Sequence, residues 1–130
     1  MWHNVFNERV TEFLNDMISG FPTGPEFEAL KTEFRTFKSG FNLLKSMDDK
    51  KPVTVFHEYV VRNYRDKILS EDESFFLNRE YDITSSKEYW MDVIGKIRQA
   101  WALMDADARS VVWKYFKVLV VLCEKCLNGK

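Results

Sequence analysis

From its residues this chain is predicted to fold as an all-α, single-domain antiparallel helical bundle, residues 1–130, with about five to six helices around a hydrophobic C-terminal helix. Three observations lead there. The run Val118-Leu119-Val120-Val121-Leu122-Cys123 lies in a segment, Ala108 to Leu127, with almost no polar face; between Val111 and Cys123 only Lys114 and Lys117 are charged. A helix apolar nearly all round has to be buried, so this last segment is expected to be the axis of the fold, wrapped by amphipathic helices. Second, Phe27, Leu30, Phe34, Phe37, Phe41 and Leu44 alternate spacings of three and four, the seam of a helix packed lengthwise along a neighbour. Third, five Gly and three Pro leave little room for the turns of an all-β fold.

Taken in order, Phe6, Val10, Phe13, Leu14, Met17 and Ile18 fall on one helical face. Gly20 supplies a stop, with Pro22 just beyond. Thr23-Gly24-Pro25 is a turn, and Pro25 suits the first position of the second helix. That helix carries the Phe27–Leu44 seam, which Gly40 interrupts at some cost. The seam is too short for a coiled-coil dimer, so packing within the bundle is expected. Met47-Asp48-Asp49-Lys50 is a connection. Pro52 opens a third helix whose stripe is Val55, Phe56, Tyr59 and Val60, with Tyr64 at its end. The polar stretch Arg62 to Lys67 is expected to end or bend it. Ser70-Glu71-Asp72-Glu73 has the form of a capping box and precedes Phe75-Phe76-Leu77, predicting one or two helical turns. Asn78 to Ser86 is a loop containing Tyr81 and Ile83. Ser85 or Ser86 caps the next helix, with a stripe of Trp90, Val93, Ile94, Ile97, Trp101 and Met104. Asp105 caps the last helix, Asp107 sits favourably in its first turn, and Asn128-Gly129 ends it. A strand at Val118 would have no evident partner.

The balance of nineteen Lys plus Arg against twenty Asp plus Glu gives no basic footprint, so nucleic acid is not an expected partner. Met1-Trp2-His3-Asn4 has no charged stretch leading into an apolar one, so a secretory signal is not expected. Two cysteines are too few for a disulfide framework, and together these favour a reducing interior. The C-terminal apolar run falls short of the ~20 residues of a membrane span, so no membrane partner is expected.

Chemistry is sparsely signalled. Cys123-Glu124-Lys125-Cys126 is a CxxC, but near a helix C-terminus, where the dipole opposes thiolate. A zinc site would have to recruit His3 or His57, without paired ligands at both ends. His57-Glu58 lacks the second histidine of a metalloprotease motif. The serines sit at caps and turns, and no phosphate-cradling glycine loop occurs. Asp105-Ala106-Asp107 is explained by capping rather than calcium. No catalytic residue, metal ligand or cofactor is assigned. Lys114 and Lys117 are expected to reach solvent with their heads while their stems cover apolar surface. Trp2, a large apolar side chain near a terminus, and the wedge Phe75-Phe76-Leu77 behind its acidic entry are the candidate protein-binding residues. The default for the wedge is burial.

Three stretches carry a family likeness. They are Phe6-Asn7 leading into Phe13-Leu14; Tyr64 followed by Lys67-Ile68-Leu69, Asp72-Glu73 and Phe75-Phe76-Leu77; and Trp101 followed by Trp113-Lys114-Tyr115 and Val118-Leu119. In these the chain resembles short helical proteins encoded by large nucleocytoplasmic DNA viruses of algae and protists. The resemblance implies a viral gene product with a helical fold, located in host cytoplasm or virion, and it implies no activity. The expectation is therefore a non-enzymatic helical protein–protein interaction module with a viral or host protein as partner. The alternatives are a small structural component of a virus particle or a homo-oligomer, and a metal-binding helical protein using Cys123, Cys126 and one histidine.

Overall fold

The computed structural model describes residues 2–21, 23–77 and 89–128. Among these there is no strand. The elements are α1 Trp2–Gly20, α2 Pro25–Met47, α3 Lys51–Phe56, a π-helical turn His57–Val61, α4 Arg62–Leu69, α5 Ser74–Leu77, α6 Tyr89–Trp101 and α7 Ala106–Asn128. The chain is thus the all-α bundle its periodicities predict. The expected loop Asn78 to Ser86, the Ser85 or Ser86 cap, Pro22 and Gly129 lie outside the described residues.

Side-chain partners set the directions. Phe21, at the end of α1, packs on Phe27 and Phe34 of α2 at 5.8 and 6.3 Å. Asn7, near the start of α1, donates from Nδ2 to the Asp49 carbonyl beyond the other end of α2 at 2.8 Å. The two helices are therefore antiparallel. α6 runs antiparallel to α2: Tyr89 meets Phe37 and Phe41, while Lys96 reaches Glu33 at 3.9 Å. α7 runs antiparallel to both α1 and α4. Tyr115 bonds Asp16 and Lys125 covers Trp2 on one flank. On the other flank, Lys117 pairs with Glu71 and Arg65 with Glu124 at 2.6 Å.

At the centre, almost every helix contributes an aromatic ring. Phe56 of α3 meets Phe6 of α1 at 5.3 Å and Trp90 of α6 at 4.8 Å, both edge to face. Phe116 of α7 meets Phe13 of α1 at 5.6 Å, Phe75 of α5 at 6.0 Å and Phe56 at 6.4 Å. These six rings are all fully buried. Edge-to-face pairs add about 0.5–1.5 kcal/mol each beyond the area they bury, so the cluster orients the helices as well as holding them.

Several predicted faces form as read. The α1 stripe is buried apart from half-buried Ile18, and every predicted stripe residue of α6, with Met104 after it, is buried. In α2, Leu30, Phe34 and Phe41 are buried, and Phe27, Phe37 and Leu44 are half-buried. Gly24 sits at φ 154°, a conformation open to glycine, and its carbonyl accepts the Phe27 and Glu28 N–H groups at 3.1 and 2.9 Å. Asp105 caps α7, its Oδ1 accepting the Ala108 N–H at 2.8 Å. α2 continues through Gly40. There the Tyr89 ring lies against the missing side chain, and its hydroxyl donates to the Phe37 carbonyl at 2.8 Å.

Other expectations are corrected. The third helix does not end at Arg62. It continues as α4 through a π turn, in which the Arg62 N–H bonds the His57 carbonyl five residues back. Along it Val53, Val60, Val61 and Ile68 are buried, while Tyr59, expected in the stripe, is 42% exposed. Ser70 does not cap α5. Its N–H completes α4 on the Asp66 carbonyl, and Glu71 follows at φ 56°. Asp72 N–H then bonds the Lys67 carbonyl and Glu71 N–H the Ile68 carbonyl, at 2.9 and 3.1 Å, the two bonds of a Schellman motif. Asp72 takes the capping role for α5, its Oδ1 accepting the Ser74 N–H at 3.0 Å. The Ser74 hydroxyl first, and this N–H second, hold the Asp72 carboxyl below the usual range. Finally, α7 is not wrapped on all sides. Val111, Val118 and Val121 are 41%, 41% and 45% exposed, because α1 and α4 flank it and leave one face bare.

Two substitutions test these readings. A Cβ at position 40 would meet only Tyr89 ring carbons, at 3.6 and 3.9 Å, which is ordinary contact. Gly40→Ala is therefore expected to stabilise the fold by about 0.5–1 kcal/mol, seen as a higher urea midpoint at unchanged slope. Glu71→Gly relieves a left-handed residue at the Schellman position and loses only the exposed Lys117 pair. It is expected to gain about 0.5–1 kcal/mol in the same titration; a loss would contradict the capping assignment.

Candidate interaction surface

The bare face of α7 has a definite pattern. Asp107, Val111, Lys114, Val118, Val121 and Lys125 succeed one another at spacings of four, three, four, three and four, and all six are exposed. This is the same a/d periodicity that packs α2 into the bundle, here pointing outward. At ~1.5 Å per residue the strip is ~27 Å long. Single exposed valines need no explanation, but three on one meridian, broken only by Lys114, form an apolar strip with an acid at one end and a base at the other.

Among the described residues, Asp107, Lys114 and Lys125 have no ion-pair partner. The Lys125 ammonium instead sits 4.6 Å above the Trp2 ring. Lys117 and Glu124 lie beside the strip and are tied to α4 and its end by Glu71 and Arg65.

At its acidic end the strip opens into a cleft of about 480 Å³ between the end of α1 and the α6–α7 turn. Buried Phe13, Met17 and Met104 form its floor, and Leu103, 47% exposed, stands beside Val111 at its mouth. Asp16, Asp105 and Asp107 line the rim, and among the described residues the lining holds no base. The C-terminus of α1 and the N-terminus of α7 both point here, and their opposite dipole ends offset one another, leaving the carboxylates to set the sign. Asp105 is held by its capping bond and Asp16 by the Tyr115 hydroxyl. Burial first, and the Asp16 bond second, push Tyr115 up to about 12, so it stays a donor. Asp107 is the rim carboxylate left free. The cleft is anchored by Arg109, which sequence reading passes over. Its guanidinium donates twice to the Trp101 carbonyl, at 3.1 and 2.8 Å, and lies 5.1 Å from the Trp101 ring.

The predicted binding residues fare unequally. Trp2 is 37% exposed, half folded against α7 under Lys125, and lines a second cleft of about 320 Å³ with His3, Val53 and Cys126. Phe75 is fully buried against Tyr64, Trp113 and Phe116. It pins α5 to the core and offers no surface anchor. The Phe76 and Leu77 side chains lie outside the described residues. The signal for the α7 strip was present in the sequence, since Asp107, Lys114 and Lys125 share the valines' meridian. Reading the segment as apolar all round concealed it.

The CxxC pair is divided by depth. The Cys123 thiol is buried and donates to the Val53 carbonyl at 3.7 Å, and burial pushes it up to about 12. Burial also raises half-exposed Cys126. Among the described residues, no three His, Cys, Asp or Glu side chains converge as a metal site, and no helix is long and apolar enough to cross a membrane. Comparisons with family models, with curated proteins and with solved structures find no match to this chain.

The buried thiol makes a pH-dependent prediction. Its pKa is raised on folding, so the unfolded chain gives up this proton first as pH climbs. Stability present below pH 9.0 should decline between there and about 12, with Tyr115 adding to the fall above 10.0. Urea midpoints across that range are expected to drop, and Cys123→Ala, though less stable at neutral pH, should show a shallower decline.

Proposed function

We propose that this protein is a non-enzymatic interaction module that binds an amphipathic helix along the outer face of α7. The observation that carries the reading is the outward a/d strip of Val111, Val118 and Val121, exposed by 41–45% and interrupted only by Lys114. A helix laid there would seat its own apolar stripe on the valines in helix-to-helix packing. Lys114 and the terminal charges Asp107 and Lys125 would select its register, since a polar residue in such a seam fixes alignment at some cost in affinity. The aromatic likeness to proteins of large DNA viruses extends the proposal to a virus-encoded module acting in host cytoplasm or virion. Trp2, beside Lys125, forms the end of the surface opposite the acidic cleft.

The test compares wild-type chain with the double variant Val118→Glu/Val121→Glu as bait in lysate. Both positions are exposed, so the variant is expected to keep its thermal midpoint within the shift of about 0.5 kcal/mol typical of surface changes. Proteins retained by wild type should be depleted about tenfold by the variant, a loss on the scale of interface hot spots. Retention of the same set by both baits would remove α7 from the interaction.

A further inference from the structure

We infer that the helix this face accepts is α7 of a second copy of the same chain, laid antiparallel about a two-fold axis. The inference rests on the docking reading above and names its partner. The two ends of the strip carry opposite charges, Asp107 and Lys125, which have no ion-pair partner among the described residues. An antiparallel copy in a-to-d alignment places Asp107 against the second copy's Lys125, Val111 against its Val121, and Lys114 against its Val118. Each pairing then occurs twice, as a two-fold interface requires. All six strip residues find a complementary partner in this single alignment. Val111 meets Val121, Asp107 meets Lys125, and each Lys114 lays its stem on Val118 while its head reaches solvent.

The cleft at the acidic end fits the same arrangement. The arriving Lys125 faces a rim of three carboxylates, Asp16, Asp105 and Asp107, with no base among the described lining residues. The exposed Leu103 and the open apolar floor lie where the second copy's Trp2, which travels under Lys125, would approach. A parallel pair is disfavoured. It would set Asp107 against Asp107, Lys114 against Lys114 and Lys125 against Lys125, and like charges so placed oppose pairing.

Sedimentation equilibrium on the full chain tests this with charge exchange. Wild type is expected to shift from one to two chains as concentration rises. Asp107→Lys alone and Lys125→Asp alone should each weaken dimerisation roughly three- to tenfold, because each puts like charges together twice. The double variant Asp107→Lys/Lys125→Asp should return to within about twofold of wild type, and mixing the two single variants should yield a heterodimer stronger than either alone. Circular dichroism establishes that each variant is folded. A wild-type chain that stays monomeric at every concentration overturns the inference. So does a dimer that is indifferent to the charge changes, or one that the double variant fails to restore. A monomeric chain that still loses bound proteins on Val118→Glu/Val121→Glu would overturn the second-copy assignment while leaving the α7 docking surface standing.

Discussion

The structure depends on the ring cluster through Phe56 and Phe116. Helices α1, α3, α5, α6 and α7 each place a buried ring in it, and most contacts are edge to face. Rings of this size have few rotamers, so each contact limits the rotation of the helix that supplies it. Removing one ring would cost about 3–5 kcal/mol, a large part of the 5–15 kcal/mol typical of a whole domain. The orientation of α7 follows from this. With Phe116 directed into the cluster and Trp113, Leu119, Val120 and Cys123 buried alongside it, the opposite meridian has to face outward, whatever residues occupy it.

Those residues account for the functional reading. Two flanks of α7 are closed by Tyr115 with Asp16 and by Arg65 with Glu124. What remains is a narrow strip rather than a broad apolar patch. The valines supply contact area with little side-chain entropy to lose, and Lys114 at mid-strip discourages indiscriminate sticking. Polarity along the strip comes from the ends: carboxylates gather where α1 stops and α7 starts, and Lys125 lies at the other extremity over an indole.

Amphipathic elements were legible where the sequence alternates clearly between apolar and polar faces. The stripes of α1 and α6 and the Asp105 cap follow from spacing and side-chain chemistry alone, since they depend on residues close in sequence. Three features were not legible, for different reasons. Exposure of Val111, Val118 and Val121 depends on how many neighbours α7 has, which its own periodicity cannot report. Glu71 occupies a left-handed position normally given to glycine, so the Schellman motif carried no sequence signal and Ser70 looked like the start of a cap. Phe75 reads as core by default with an anchor as the alternative, and its partners Tyr64 and Phe116 are distant enough in sequence that only the fold decides.

The π turn at His57–Val61 has a consequence for α7, on which the following helix packs. One residue corresponds to ~100° of helical rotation. A regular helix lacking that residue would swing everything after Val61 by that angle about the axis. Arg65 would leave Glu124, and Ile68 would leave the core. The helix would then cover α7 differently, so one inserted amino acid in α3–α4 sets how wide a strip of α7 stays open to a visitor.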